Sequence, residues 1–208
     1  MDIINIATIL GVILVSMTVH EAMHAFTSYW LGDDTAKLQG RLTLNPIKHI
    51  DPFLTILLPL LLAISGGPIF GGAKPVPFNP DRVRYDEWGS ALVALAGPLT
   101  NLLLAFVTFG TAALIGLETA IGQVMITATV VNLGFFVFNM LPIPPLDGSR
   151  AFYALAPEFV RRGMEVIEQF GILVIFVIVI AASSLIGSFM TEAIQAILYL
   201  FTIIFQLS

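Results

Sequence analysis

Residues 3–31 form an apolar run long enough to cross a bilayer, and His20-Glu21-Ala22-Met23-His24 interrupts it. A hydrocarbon core of roughly 30 Å takes about 20 residues of helix. A lipid-embedded backbone must also satisfy its own hydrogen bonds. The run is therefore predicted to be helical, with two imidazoles and a carboxylate at membrane depth. A carboxylate there costs roughly 3 kcal/mol on insertion scales. A bound metal ion is the simplest partner that offsets such a cost.

Composition agrees with a membrane setting. Of 208 residues, 57% are hydrophobic and 11% charged, with a mean hydropathy of +0.94. A soluble domain carries about a quarter charged residues. Nine Lys/Arg and fourteen Asp/Glu cannot cover a soluble surface of this size, so the chain is read as one integral membrane domain. The chain has no cysteine, which excludes disulfides, thiolate zinc sites and a Cys nucleophile. Met1-Asp2 provides no basic n-region, so the first run reads as a retained helix rather than a signal peptide. Basic tracts are absent, and nucleic acid is not an expected partner.

Three further apolar regions follow, at residues 90–117, 121–141 and 167–207. The last is too long for one span, and Ser183-Ser184 with Gly187-Ser188 near its middle predict two helices. Residues 52–70 are shorter in uninterrupted apolar length and contain Pro59. That reads as a re-entrant segment. The polar connection 32–51 alternates in part, which predicts short strands. The expected fold is an all-α membrane protein: a polytopic bundle of about five transmembrane helices, a re-entrant segment and short cytoplasmic-side strands. As domains, residues 1–208 form one transmembrane unit, with a core at about 3–152 and accessory helices at about 163–207.

On a helix, His20 and His24 are one turn apart and face one metal ion together. Glu21 lies beside them as a candidate general base. Zinc suits imidazole and carboxylate donors, and a catalytic zinc takes three protein ligands with one position open. Asp147 is the candidate third ligand. Pro142, Pro144 and Pro145 stiffen the backbone before it and Gly148 permits a turn after it. Asn139, eight residues upstream, is a costly amide in a helix, and helix packing is its rival role.

HEAMH in a membrane helix, Ala96-Gly97-Pro98-Leu99-Thr100-Asn101 opening a later helix, and Asn139-Met140-Leu141-Pro142-Ile143-Pro144-Pro145-Leu146-Asp147-Gly148 closing another resemble the site-2 protease family. These are intramembrane zinc metalloproteases, and the resemblance covers about residues 10–152. It is to a compact prokaryotic member without PDZ or CBS domains. The resemblance implies one zinc per chain on His20, His24 and Asp147, and a catalytic Glu21. It also implies that Asn139 contacts substrate or the oxyanion, and that the substrate is a membrane helix already shortened by another protease. The expected activity is hydrolysis of a peptide bond in or near that helix. Gly97-Pro98 reads as a packing and helix-start feature, and Asn101 as a hydrogen bond to a neighbouring helix.

Topology gives a separate expectation. His20 and His24 lie late in the first helix, and Asp147 lies just past a helix ending near Leu141. The three meet only if both helices run the same way, which requires residues 52–70 not to span. All nine basic residues then fall on one side, which the positive-inside rule makes cytoplasmic. The N-terminus is expected outside. Counting about 1.5 Å per residue from His24 to Gly32 puts the zinc roughly 12 Å below the cytoplasmic face.

Two other functions compete. A prenyl-protein-type zinc membrane protease would take its third ligand from a late Glu, but Glu158, Glu165 and Glu168 lack a matching motif. A metal transporter or non-catalytic metal-binding scaffold needs ligands along a path, and the last two helices offer only Glu192 and Gln195. His49, close to Lys48 and Asp51, reads as an interfacial residue rather than a ligand.

Overall fold

The structure is a computed structural model that describes residues 3–57 and 72–206. Its elements in chain order are α1 (Ile3–Trp30), α2 (Thr35–Leu38), α3 (Asp86–Ile115), α4 (Ala120–Asn139), α5 (Asp147–Leu155), α6 (Glu158–Glu168), α7 (Ile172–Ala181) and α8 (Ser183–Ile204). Single helical turns at Pro46–Lys48, Pro52–Leu57 and Pro80–Arg82 punctuate the connection between α2 and α3.

Among the described residues, four helices, α1, α3, α4 and α8, are long and apolar enough to cross a membrane. The expected count of about five is not confirmed. The last apolar region does break in two, at Ala182, but α7 has ten residues and rises only about 15 Å. Ser183-Ser184 open α8, and Gly187-Ser188 continue within it. The re-entrant expectation for 52–70 falls mostly on residues 58–70, which lie outside the described residues. Pro52–Leu57 form a π-helical turn.

The short strands expected in the polar connection are not formed among the described residues. Thr35–Leu38 is a helical turn, and Arg41 N–H returns to the Ala36 carbonyl at 2.8 Å. Asn45 then caps the turn Pro46–Lys48 through the Ile47 N–H at 3.1 Å. Local Asp and Asn caps offer the backbone nearer partners than a strand would, and they override the weak alternation.

The core of the bundle is α3 and α4 packed along each other, with α1 against both. Helices in lipid gain little from apolar burial against each other, so close approach through small residues carries the packing. Small residues accordingly make up most of the buried face of α3, with Gly89, Ala91, Ala94, Gly97, Ala105, Gly110 and Ala112 beside the larger Val93, Pro98, Asn101 and Phe109. At the far end, α8 docks through Phe201 onto Phe106 and Phe109, with ring centroids 5.3 and 5.5 Å apart. A β-carbon on Gly110 would stand 2.6 Å from the Phe205 ring, so glycine admits that aromatic contact.

Pro98 lies inside α3, which starts twelve residues earlier at Asp86, so Gly97-Pro98 is not a helix start. The C-terminal end of α1 meets the N-terminal end of α3, where the Arg84 N–H donates to the Leu31 carbonyl at 2.9 Å. Trp30, Tyr85 and Trp88 are exposed at this shared end, as aromatic residues are at a membrane–water boundary.

After α4 the chain turns sharply into α5. Gly148 lies against the end of α4, where an added β-carbon would be 2.4 Å from the Met140 carbonyl oxygen. Gly148→Ala should therefore destabilise the protein by about 1–3 kcal/mol, as overpacking against backbone does. Gly134→Ala, where nothing lies within 4 Å, should be neutral or stabilising by up to about 1 kcal/mol. Thermal unfolding in detergent compares the two.

Candidate metal centre

Three side chains from two distant parts of the chain converge. His20 and His24, on consecutive turns of α1, meet Asp147 from the first turn of α5, and their donor atoms all lie within 4.8 Å of one another. His20 Nε2 is 3.1 Å and His24 Nε2 3.4 Å from Asp147 Oδ2. The two Nε2 atoms are 3.0 Å apart. Both imidazoles are buried, and the Asp147 side chain is 21% exposed.

The outer faces of the rings fix their tautomers. His24 Nδ1 lies 2.7 Å from the Val93 carbonyl, which only accepts, so Nδ1 carries the proton. His20 Nδ1 lies 2.6 Å from Asn101 Oδ1. The Asn101 amide is itself oriented by Asn132. Asn132 Nδ2 donates to Ser16 Oγ at 2.9 Å and to the Ala128 carbonyl at 2.8 Å, which leaves its Oδ1 to accept from Asn101 Nδ2 at 2.8 Å. His20 Nδ1 is thereby also a donor. Each Nε2 is left with a bare lone pair aimed at the other and at a carboxylate.

Three electron-pair donors facing one another without a proton between them repel unless a cation sits among them. Around one tetrahedral zinc with bonds of about 2.0–2.2 Å, such donors stand roughly 3.3–3.5 Å apart, close to the spacings found. The donor set therefore fits zinc, and the ring-to-amide contacts are the kind that orient metal-bound histidines.

Glu21 follows His20 on α1 and is not one of the three donors. Its Oε2 accepts the Val76 N–H at 3.0 Å. Asn139 is not joined to the centre by any hydrogen bond among the described residues. Its Nδ2 donates one turn back to the Phe135 carbonyl at 3.0 Å. His49 corrects the interfacial reading. It is wholly buried, with Nε2 on the Thr43 carbonyl at 2.8 Å, and it is outside the three-donor group. Glu192 is exposed on α8.

Sequence reasoning missed Asn132 and Ser16, and it gave Asn101 no specific partner. Their signal was present: an amide in an apolar helix is costly enough to mark a partner, and Asn132 is one such residue. The role of Gly97 also escaped. A β-carbon there would stand 2.5 Å from His24 Nε2 and 2.7 Å from His20 Nε2, so α3 passes directly behind the metal-facing atoms. Gly97→Ala should displace both rings and weaken zinc binding at least ten-fold, read by competition with a chromophoric chelator.

No protein-family model matches the sequence, and no solved structure does. Curated proteins do. YwhC of Bacillus subtilis, named as a candidate zinc metalloprotease, is 40% identical over 205 residues, covering 93% of this chain and 90% of YwhC. Rip2 of Mycolicibacterium smegmatis, named likewise, is 36% identical over 177 residues, and the match covers 80% of this chain and 64% of Rip2. MJ0611 of Methanocaldococcus jannaschii, with the same style of name, is 36% identical over 95 residues, or 46% of this chain and 49% of its own length. The paired imidazoles, the distant carboxylate and these relatives converge on one conclusion: the chain belongs to the site-2 protease family of zinc metalloproteases.

Proposed function

We propose that this zinc metalloprotease cuts a peptide bond within or near a transmembrane segment of another membrane protein. The observation that carries the reading is that His20 and His24 of a membrane-length helix meet Asp147 of the turn that follows another, with Glu21 next to His20 in the chain. His20, His24 and Asp147 hold the metal. When bound, zinc supplies Lewis acidity and lowers the pKa of water toward neutrality.

Glu21 is the proton carrier. Its Oε2 is occupied by the Val76 N–H, so Oε1 takes the proton from the attacking water. Glu21 then returns that proton to the leaving amine. Asn139 uses one amide hydrogen on Phe135, and its second is available to a substrate carbonyl. The substrate backbone must be unwound where it is cut, because a helix keeps its carbonyls in internal hydrogen bonds. The family resemblance makes that substrate a helix shortened beforehand by another protease.

The C-terminal ends of α1 and α4 lie on one side of the bundle, the side where α3 begins. All nine Lys and Arg fall in the segments at that end. That distribution supports a cytoplasmic metal centre and an N-terminus outside. A protease-accessible tag at the N-terminus should be cut in intact cells, and its protection there would reverse this orientation.

The prenyl-protease alternative gains no support from its candidate ligands. Glu158 pairs with Arg162, Glu165 accepts from Tyr153, and Glu168 pairs with Arg150. The decisive test of the hydrolytic reading is Glu21→Gln in purified protein. Cleavage should fall by about 10²–10⁴-fold while one zinc per chain is retained. A variant that still cuts at the native rate would refute the proton-carrier role.

A further inference from the structure

Two buried charged side chains, Arg41 and Asp33, have no part in the chemistry above. Arg41 is 4% exposed and Asp33 is fully buried. Both are turned on the same extended stretch, residues 72–79. At one end Arg41 Nη2 donates to the Lys74 carbonyl and, at 3.5 Å, to the Pro75 carbonyl. The buried His49 adds its own carbonyl, which accepts the Lys74 N–H at 2.9 Å. At the other end Asp33 Oδ2 accepts the Asn79 N–H at 2.7 Å. Thr55 Oγ1 donates to the Gly72 carbonyl at 2.7 Å.

The middle of this pinned stretch is Pro75-Val76-Pro77. Neither proline has an N–H, so Val76 carries the one backbone donor of the three residues. A residue before proline is confined to extended conformations, which restricts the direction of that donor. It points at Glu21 Oε2, 3.0 Å away. Arg41 Nε, meanwhile, is a buried nitrogen with no hydrogen-bond partner among the described residues. A desolvated, partly unsatisfied guanidinium is expensive. The Lys74 and Pro75 carbonyls it holds lie immediately before the donor that reaches Glu21.

We infer that Arg41, acting through Pro75-Val76-Pro77, is a positioning residue that sets the Glu21 carboxylate in place by way of the Val76 N–H. Asp33 and His49 complete the frame from either end. A glutamate side chain has several free torsions, and fixing one oxygen leaves the other in a single place where a water can be met. The inference rests on Glu21 being the proton carrier and adds the machinery that holds it.

The test uses the zinc-loaded full chain in detergent and a synthetic transmembrane peptide of Leu and Ala with a central Gly-Pro break. Val76→Pro removes the donor, and kcat should fall about ten-fold or more, the scale of a hydrogen bond to a charged group. KM should stay within about two-fold and zinc content at one per chain. Val76→Ala, which keeps the amide, should lower kcat far less. Arg41→Met should lower kcat as Val76→Pro does and speed hydrogen exchange at the Val76 amide.

Native kcat in Val76→Pro would overturn the inference, as would losses confined to KM or to zinc content. Should Val76→Pro fail to fold, Arg41→Met decides alone. Unchanged amide protection with native kcat rejects the frame, and faster exchange with reduced kcat supports it. Glu21→Gln runs in parallel, and native turnover in that variant would show that the proton-carrier reading itself had failed.

Discussion

Two imidazole lone pairs and a carboxylate held about 3 Å apart in a low-dielectric site form an arrangement that only a cation makes favourable. The rest of the molecule is organised around that constraint. α1 supplies both rings from one face, and α4 must run alongside in the same sense so that its following turn can deliver Asp147. α3 then has to pass close behind the rings, which Gly97 permits, and Gly148 lets the turn close on Met140.

The polar atoms that this centre forces into the bundle are themselves paired. Ser16, Asn132, Asn101 and His20 form one chain of hydrogen bonds across α1, α3 and α4. Leaving any buried member without a partner would cost about 1–3 kcal/mol. The chain therefore couples helix packing to ring orientation. The Thr108–Thr129 contact, 2.9 Å between hydroxyls, ties α3 to α4 in the same manner further along.

Much of this was legible in the sequence, because its signals were costly ones. HEAMH in an apolar run and a proline-stiffened Asp-Gly each demand an explanation, and they point to the three side chains that the fold brings within 4.8 Å of one another. Long apolar periods likewise located α1, α3, α4 and α8. The polar connection was the opposite case. Its alternation was weak, and local caps by Asn45 and Asn79 favoured turns over strands. His49 looked interfacial because its neighbours in sequence are charged, yet long-range contacts bury it. Pro98 looked like a helix start, since proline favours that position, but tight packing of α3 on α1 keeps it mid-helix. The asparagine chain depends on which helix faces meet, which one chain's spacing does not specify.

The three side chains that could hold a metal come from α1 and from the first turn of α5. Glu21 is addressed from the polar connection at the same end of the bundle, through backbone rather than side chains.

The most direct measurement is zinc affinity of Asp147→Ala against the native chain, by competition titration. If α1 and the turn after α4 share one ion, losing a third of the donor set should weaken binding by about a hundred-fold or more. Native affinity in that variant would contradict the account, because the metal would then be held without the carboxylate that the fold brings to it.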